Sequence, residues 1–180
     1  WKPGNLIDDA KADLTAAYGE GEWVLNYSND QFFLNLNRPF IRERGLDLEA
    51  MQQRIQTLAL EYEGVFTAVT ATDLVRGNTS NDEFLERLRN GWSGSASGDV
   101  IIVPKPGGIQ YSRSGTTHGS PFAYDTHVPL LFYGWHVPVG ITFERTYIRD
   151  IAPTVAALIH CPMPNATTGR PIEDLSLIHI

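Results

Sequence analysis

His118-Gly119-Ser120-Pro121-Phe122-Ala123-Tyr124-Asp125-Thr126-His127-Val128-Pro129-Leu130-Leu131-Phe132-Tyr133-Gly134 is the stretch that decides how this chain is read. Its second half, Val128 to Tyr133, is uninterrupted apolar sequence, the pattern of a strand buried on both faces, with Pro129 near its start. Its first half puts a histidine in a loop just before that strand. Ligands of α/β sheets bind in crevices at strand ends, and histidine is the commonest neutral nitrogen ligand for zinc. Gly115 and Gly119 flank His118 and let the backbone turn tightly enough to aim the ring. On spacing alone a hydrogen-bonded loop histidine is still the better reading, because no second ligand stands at helical or Cys-x-x-Cys spacing.

Outward from this stretch, Asp150 can cap a final helix with Pro153 in its first turn and Val155, Leu158 and Ile159 as its apolar residues. On the other side, Lys105 to Thr126 is polar, glycine-rich and aperiodic. A loop of that length inside a compact domain is usually functional or mobile. Val100 to Val103 reads as a compact apolar strand behind the Gly/Ser-rich loop Ser93 to Gly98. Ser80 and Glu83 have capping-box spacing and open a helix to about Arg89, with Gly91 after it. Val65 to Thr70 is a β-branched run, hence a strand. Asp47 caps a helix running to about Tyr62, with an apolar stripe of Leu48, Met51, Ile55, Leu58 and Tyr62 and with Gly64 to close it. Trp23–Tyr27 and Gln31–Asn35 read as a hairpin around Ser28-Asn29-Asp30. Residues 5–18 form a helix with Leu6, Ile7, Ala10, Leu14 and Ala17 on one face and Gly19 as its stop. Helices alternating with short buried strands predict an α/β layer architecture, and no internal repeat is present.

The chain has 180 residues, 42% of them hydrophobic and 19% charged, which is enough for one ordinary core and excludes global disorder. Its formal net charge of -7 argues against nucleic acid and anionic membrane as partners, though a bound metal can supply local positive charge to a phosphorylated substrate. The single cysteine, Cys161, excludes an intrachain disulfide and reads as a small buried hydrophobe beside Pro162. No apolar run is long enough for a membrane span. His136 and His160 have no acidic neighbours in sequence and read as surface or core residues. Arg42, Arg44 and Arg54 read as solvated faces of helices. The chain begins at Trp1 and is expected to be cut from a longer protein. Residues 175–180, Leu175-Ser176-Leu177-Ile178-His179-Ile180, match the translation of a sequencing-library adaptor, so His179 is set aside.

The His118 to Gly134 string resembles the late metal-binding segment of the alkaline phosphatase superfamily, in its type I phosphodiesterase/nucleotide pyrophosphatase branch. Asn29-Asp30-Gln31-Phe32-Phe33-Leu34-Asn35, Asp150-Ile151-Ala152-Pro153-Thr154, Met163-Pro164-Asn165 and Gly169-Arg170-Pro171 are similar to that group as well. The likeness runs to about residue 174. It implies that residues 1–174 are the C-terminal portion of one catalytic domain, a mixed sheet flanked by helices that is incomplete here. Such a portion is expected to expose strand edges and an apolar face.

The same resemblance implies a zinc-dependent phosphate monoesterase, periplasmic or secreted, that works through a phosphorylated hydroxyl of the enzyme on a small phosphorylated substrate. In that family two zinc ions share the site, and metals about 4 Å apart can clamp both ends of an in-line displacement. Matched by position, His118 is the metal ligand. Asp125 and Tyr124 are candidates to orient it through a hydrogen bond, and Asp125 is equally a loop aspartate that caps a turn. His127 is assigned to packing or to supporting the ligand, because it opens the predicted strand. Thr116 and Thr117 lack a general base or cation and are rejected as nucleophiles. The nucleophile, the Asp-His pairs and the substrate-contacting Lys and Arg are expected upstream, so the fragment alone is inactive. Two alternatives remain: a phosphodiesterase, nucleotide pyrophosphatase or sulfatase on the same scaffold, or a non-catalytic extracellular binding module. Oligomeric state is left open.

Overall fold

The structure is a computed structural model that describes residues 3–28, 32–77, 82–94, 96–108, 118–134 and 137–176. The chain divides into two compact units, Trp1–Val128 and Pro129–Ile180. The first unit runs α1 (Pro3–Tyr18), β1 (Val24–Ser28), β2 (Phe33–Leu36), α2 (Arg38–Glu43), α3 (Leu48–Leu60), β3 (Val65–Thr70), α4 (Ala71–Arg76), α5 (Glu83–Asn90), β4 (Val100–Pro104) and the short α6 (Ala123–Thr126). Its four strands form one antiparallel sheet in the order β1-β2-β4-β3. This is the α/β architecture that the alternation of elements predicts, and the hairpin of β1 and β2 is present. The turn residues Asn29, Asp30 and Gln31 lie outside the described residues, as do Ser80, Gly115, Thr116, Thr117, His136 and His179.

Strand β4 shows how the sequence makes two layers. Its residues are buried throughout, and alternate side chains go to opposite faces. Val100 and Ile102 join the larger core with Leu6, Ala10 and Leu14 of α1, Trp23, Leu34 and Met51, Ile55 and Ala59 of α3. Ile101 and Val103 join Val69 and Leu74 in a second cluster, against which Phe33, Phe84, Leu85, Leu88, Trp92 and Phe122 pack. Strand β3 carries one extra residue against β4 between Val65 and Thr67. Such a bulge re-aims a side chain. Regular alternation would put Phe66 on the Ala68 face. The inserted residue instead turns its ring toward Phe84 and Phe122.

A buried carboxylate ties the sheet to the helices. Asp99 is 1% exposed. Its Oδ2 accepts from the Leu36 N–H at 2.8 Å, and its Oδ1 accepts from Arg38 Nε at 2.8 Å and Gln52 Nε2 at 3.1 Å. Gln52 in turn accepts from the Thr72 hydroxyl at 2.6 Å. Nothing in the local pattern of Gly98-Asp99-Val100 announces this role. Replacing Asp99 with alanine leaves a buried backbone donor and a buried amide without an acceptor, each costing about 1–3 kcal/mol. Asp99→Ala is therefore expected to destabilise the chain by about 3 kcal/mol in denaturant unfolding followed by circular dichroism. A loss under about 0.5 kcal/mol, the range of ordinary surface substitutions, would show the network to be dispensable.

In the second unit a 3-10 turn (Ile148–Asp150) leads into α7 (Ile151–Leu158), followed by the short α8 (Glu173–Ser176). Asp150 stands at the N-cap of α7 but makes no side-chain cap bond there. Its carboxylate instead accepts from the Tyr147 N–H at 2.8 Å and the Arg170 N–H at 3.1 Å. The Thr154 hydroxyl donates to Asp150 O at 2.6 Å and accepts from the Ile172 N–H at 2.9 Å. Asp150 and Thr154 thus staple residues 170–172 to α7. Gly169 is required because a Cβ there would lie 2.0 Å from Arg149 O.

The structure corrects several expectations. Val128 to Tyr133 is not a strand. Val128 is 62% and Leu131 88% exposed. An apolar run is compatible with a buried strand but does not create its partners, and among the described residues no strand pairs with it. Val139, Ile141 and Phe143 beyond it are exposed as well and belong to no strand. Cys161 is exposed rather than buried. On α7 the buried residues are Pro153, Thr154 and Ala156, while Ile159 is exposed. Helix α3 ends at Leu60 with Glu61 as its C-cap, so Gly64 does not close it. Helix α5 is capped by Asp82, whose side chain accepts from the Phe84 N–H at 2.9 Å. Helices α2 and α4, six residues each, are too short to show a 3.6-residue period.

Candidate functional site

The loop containing His118 is closed by its own side chains. Phe122, Ala123 and Asp125 build the single helical turn α6, in which the Asp125 and Thr126 N–H groups donate to Phe122 O at 3.0 and 3.1 Å. That turn brings the Asp125 carboxylate back over the preceding loop, where Oδ2 accepts from the Ser120 N–H at 3.0 Å. The Ser120 hydroxyl completes no hydrogen bond of ordinary geometry. Even so, it lies beside the carboxylate and is the largest influence holding Asp125 below the usual carboxylate range, followed by the Ser120 N–H and the positive charge available to His118. The sign follows: this stabilisation of the loop is complete above the ordinary carboxylate value and is lost as pH falls through the lowered one. Gly119 has φ +106°, a backbone conformation that L side chains rarely adopt, so glycine is suited to the step after His118.

His118 is exposed and shares its electrostatic surroundings with Asp125. The imidazole is near enough to the Asp125 carboxylate for its charge to act on it. The Asp125 carboxylate holds a backbone N–H of its own loop, the part of a loop aspartate. Tyr124 points elsewhere: its hydroxyl accepts from the Gly107 N–H at 3.0 Å, and its ring stacks on Phe122 at 5.8 Å. It braces the loop rather than His118. His127 is exposed and follows α6, with its N–H donating to Ala123 O at 2.8 Å. Because no strand begins at Val128, the strand-based reason for setting His127 aside does not hold. What distinguishes His118 is Asp125 beside it and the left-handed Gly119 after it.

Zinc fits this site only in part. Among the described residues no group of three or more His, Cys, Asp or Glu side chains could hold a metal ion. The donor set is one imidazole with a carboxylate next to it, and a catalytic zinc requires three protein ligands.

The loop's anchors went unread in the sequence. The Arg87 guanidinium in α5 donates to Pro121 O at 2.9 Å, and the Phe122 ring lies 5.3 Å from Phe66 and 5.6 Å from Phe84. Phe84 falls on the apolar stripe of α5, a signal that this helix packs. Neither Arg87 nor Phe66 carries any such signal, because a bulge and a side chain-to-carbonyl bond leave no period.

Among the described residues no helix is long and apolar enough to cross a membrane. No protein-family model matches the sequence. The chain is 29% identical over 177 residues to alkaline phosphatase PafA of Elizabethkingia meningoseptica, covering 96% of this chain and 32% of that protein. It is 35% identical over 175 residues to alkaline phosphatase PhoV of Synechococcus elongatus, covering 96% of this chain and 31% of that one. The crystal structure of wild-type PafA matches with a TM-score of 0.81 at 26% identity, over 94% of this chain and 32% of that one. The chain therefore spans about a third of the length of these relatives.

Proposed function

This chain belongs to the alkaline phosphatase superfamily, and from that premise we propose that it is the C-terminal portion of the catalytic domain of a zinc-dependent phosphate monoesterase. The observation that carries the reading is the shared fold with PafA over 94% of the chain. In this reading His118 supplies one metal ligand. Asp125 keeps the imidazole oriented and its other N–H engaged, and Gly119 sets the direction of approach. Zinc, when bound, supplies Lewis-acid stabilisation of phosphoryl oxygens. The remaining ligands and the attacking hydroxyl belong to the other two thirds of the full-length protein, which we place in the periplasm or outside the cell.

The exposed apolar residues Leu131, Tyr133, Val139, Ile141 and Phe143 fit the same proposal. Large exposed apolar side chains of this kind mark interaction surfaces, and we propose that the rest of the full-length protein covers them. The test uses the full-length protein with three chromogenic esters: p-nitrophenyl phosphate, bis-p-nitrophenyl phosphate and p-nitrophenyl sulfate. The monoester is expected to react at least about tenfold faster than either competitor in kcat/KM, a transition-state difference of about 1.4 kcal/mol. Chelation is expected to abolish that activity and zinc to restore it. Preference for the diester or sulfate would move the protein to another branch. No turnover of any ester would favour a binding module.

A further inference from the structure

We propose that Arg87 and Phe122 are positioning residues that clamp the His118 loop onto the sheet, so that the imidazole is presented at one place. This rests on the reading of His118 as a metal ligand, and it concerns what places that ligand. Two ties meet within two adjacent residues of the loop. Arg87 Nη1 donates to Pro121 O at 2.9 Å, while Nη2 pairs with Glu83 one helical turn earlier at 3.1 Å. The ion pair holds the guanidinium fork so that its other arm faces the loop. One residue on, the Phe122 ring completes a triangle with Phe66 and Phe84, whose centroids are 5.3, 5.6 and 5.6 Å apart, the spacing of favourable aromatic contacts. Phe66 is available because the β3 bulge turns it to this face.

His118 lies three residues before Pro121, so its Cα is within about 11 Å of a fixed point. The Ser120–Asp125 bond then shortens that leash. A clamp of this kind reduces the freedom that a loop ligand must otherwise surrender when it binds.

The test reads the His118 ring by NMR in the full-length protein, isotopically labelled and stripped of metal. The methyl signals of Leu34, Ile55 and Ile102, in the core cluster on the other face of the sheet, report whether the sheet is intact. Arg87→Ala and Phe122→Leu are each expected to move the His118 ring resonances toward their unfolded-chain positions. They should also speed amide exchange at Asp125, Thr126 and His127 about tenfold, with the sheet methyls unmoved. Arg87→Lys, which keeps one donor for Pro121 O, is expected to recover most of the shift. Glu83→Gln, which removes the helix ion pair but leaves that donor, should move His118 little. If Phe122→Leu and Arg87→Ala both leave the His118 ring where it is, the clamp is refuted. It is also refuted if Glu83→Gln moves the ring as far as Arg87→Ala, because helix stability would then be the cause. If His118→Ala in the full-length protein loses no metal while the clamp variants still shift the ring, the clamp stands and the ligand assignment fails.

Discussion

In the full-length protein, His118→Ala is expected to lower turnover of p-nitrophenyl phosphate by roughly 10²–10³-fold or more, with partial recovery at high zinc. Phosphoryl transfer asks the protein for positioning and electrostatic stabilisation more than for covalent chemistry. Removing a single well-placed electrostatic element from an active site costs on the order of 10²–10³-fold. His118 is exposed and lies within reach of the Asp125 charge. His127→Ala is expected to cost roughly 10–100-fold at most, the range for a residue that supports a ligand. His127 ends a helical turn, where its backbone N–H donates to Ala123 O at 2.8 Å. The comparison needs both rates measured at saturating and at limiting zinc, because only a lost ligand is relieved by added metal.

The 180-residue chain alone is expected to show no hydrolysis of p-nitrophenyl phosphate above the uncatalysed rate, with or without zinc. A catalytic zinc needs three protein ligands, and the described residues offer no group of three. Weak, transient zinc binding at His118 would lower the pKa of a bound water but would neither align it nor neutralise the leaving group. Turnover by pure chain, abolished by a chelator, would mean that the site is complete within these residues. The exposed run around Leu131 makes self-association a practical concern. The assay is therefore paired with Leu131→Asp, which is expected to raise solubility and leave the rate at zero.

Much of the fold was legible because it is written in short-range periodicity. The stripe Met51, Ile55 and Ala59 marks α3 and is buried as its spacing requires. Val100 to Val103 is buried on both faces, as its continuous apolarity says. The same rule misread Val128 to Tyr133, an equally apolar run that lies exposed. Composition reports what a segment can bury, while burial depends on a partner elsewhere. Asp99 was invisible for a related reason: its acceptors serve Leu36, Arg38 and Gln52, residues 47 to 63 positions away.

The candidate site divides along the same line. His118, Gly119 and Asp125 were readable because the loop carries its chemistry within eight residues. Arg87 and Phe66 were not, because they reach the loop only through the sheet and α5. Asp150, Thr154 and Gly169 were noticed for their resemblance to the family, and the structure gives them a mechanical role, a staple across twenty residues.

The central claim is that His118, and not its neighbour nine residues on, holds a metal. Elemental analysis of the purified full-length protein tests it without reference to rate. Wild type is expected to carry two zinc ions per chain, His118→Ala one fewer under stringent dialysis, and His127→Ala the wild-type number. If His127→Ala loses a zinc and His118→Ala keeps both, the ligand has been assigned to the wrong histidine.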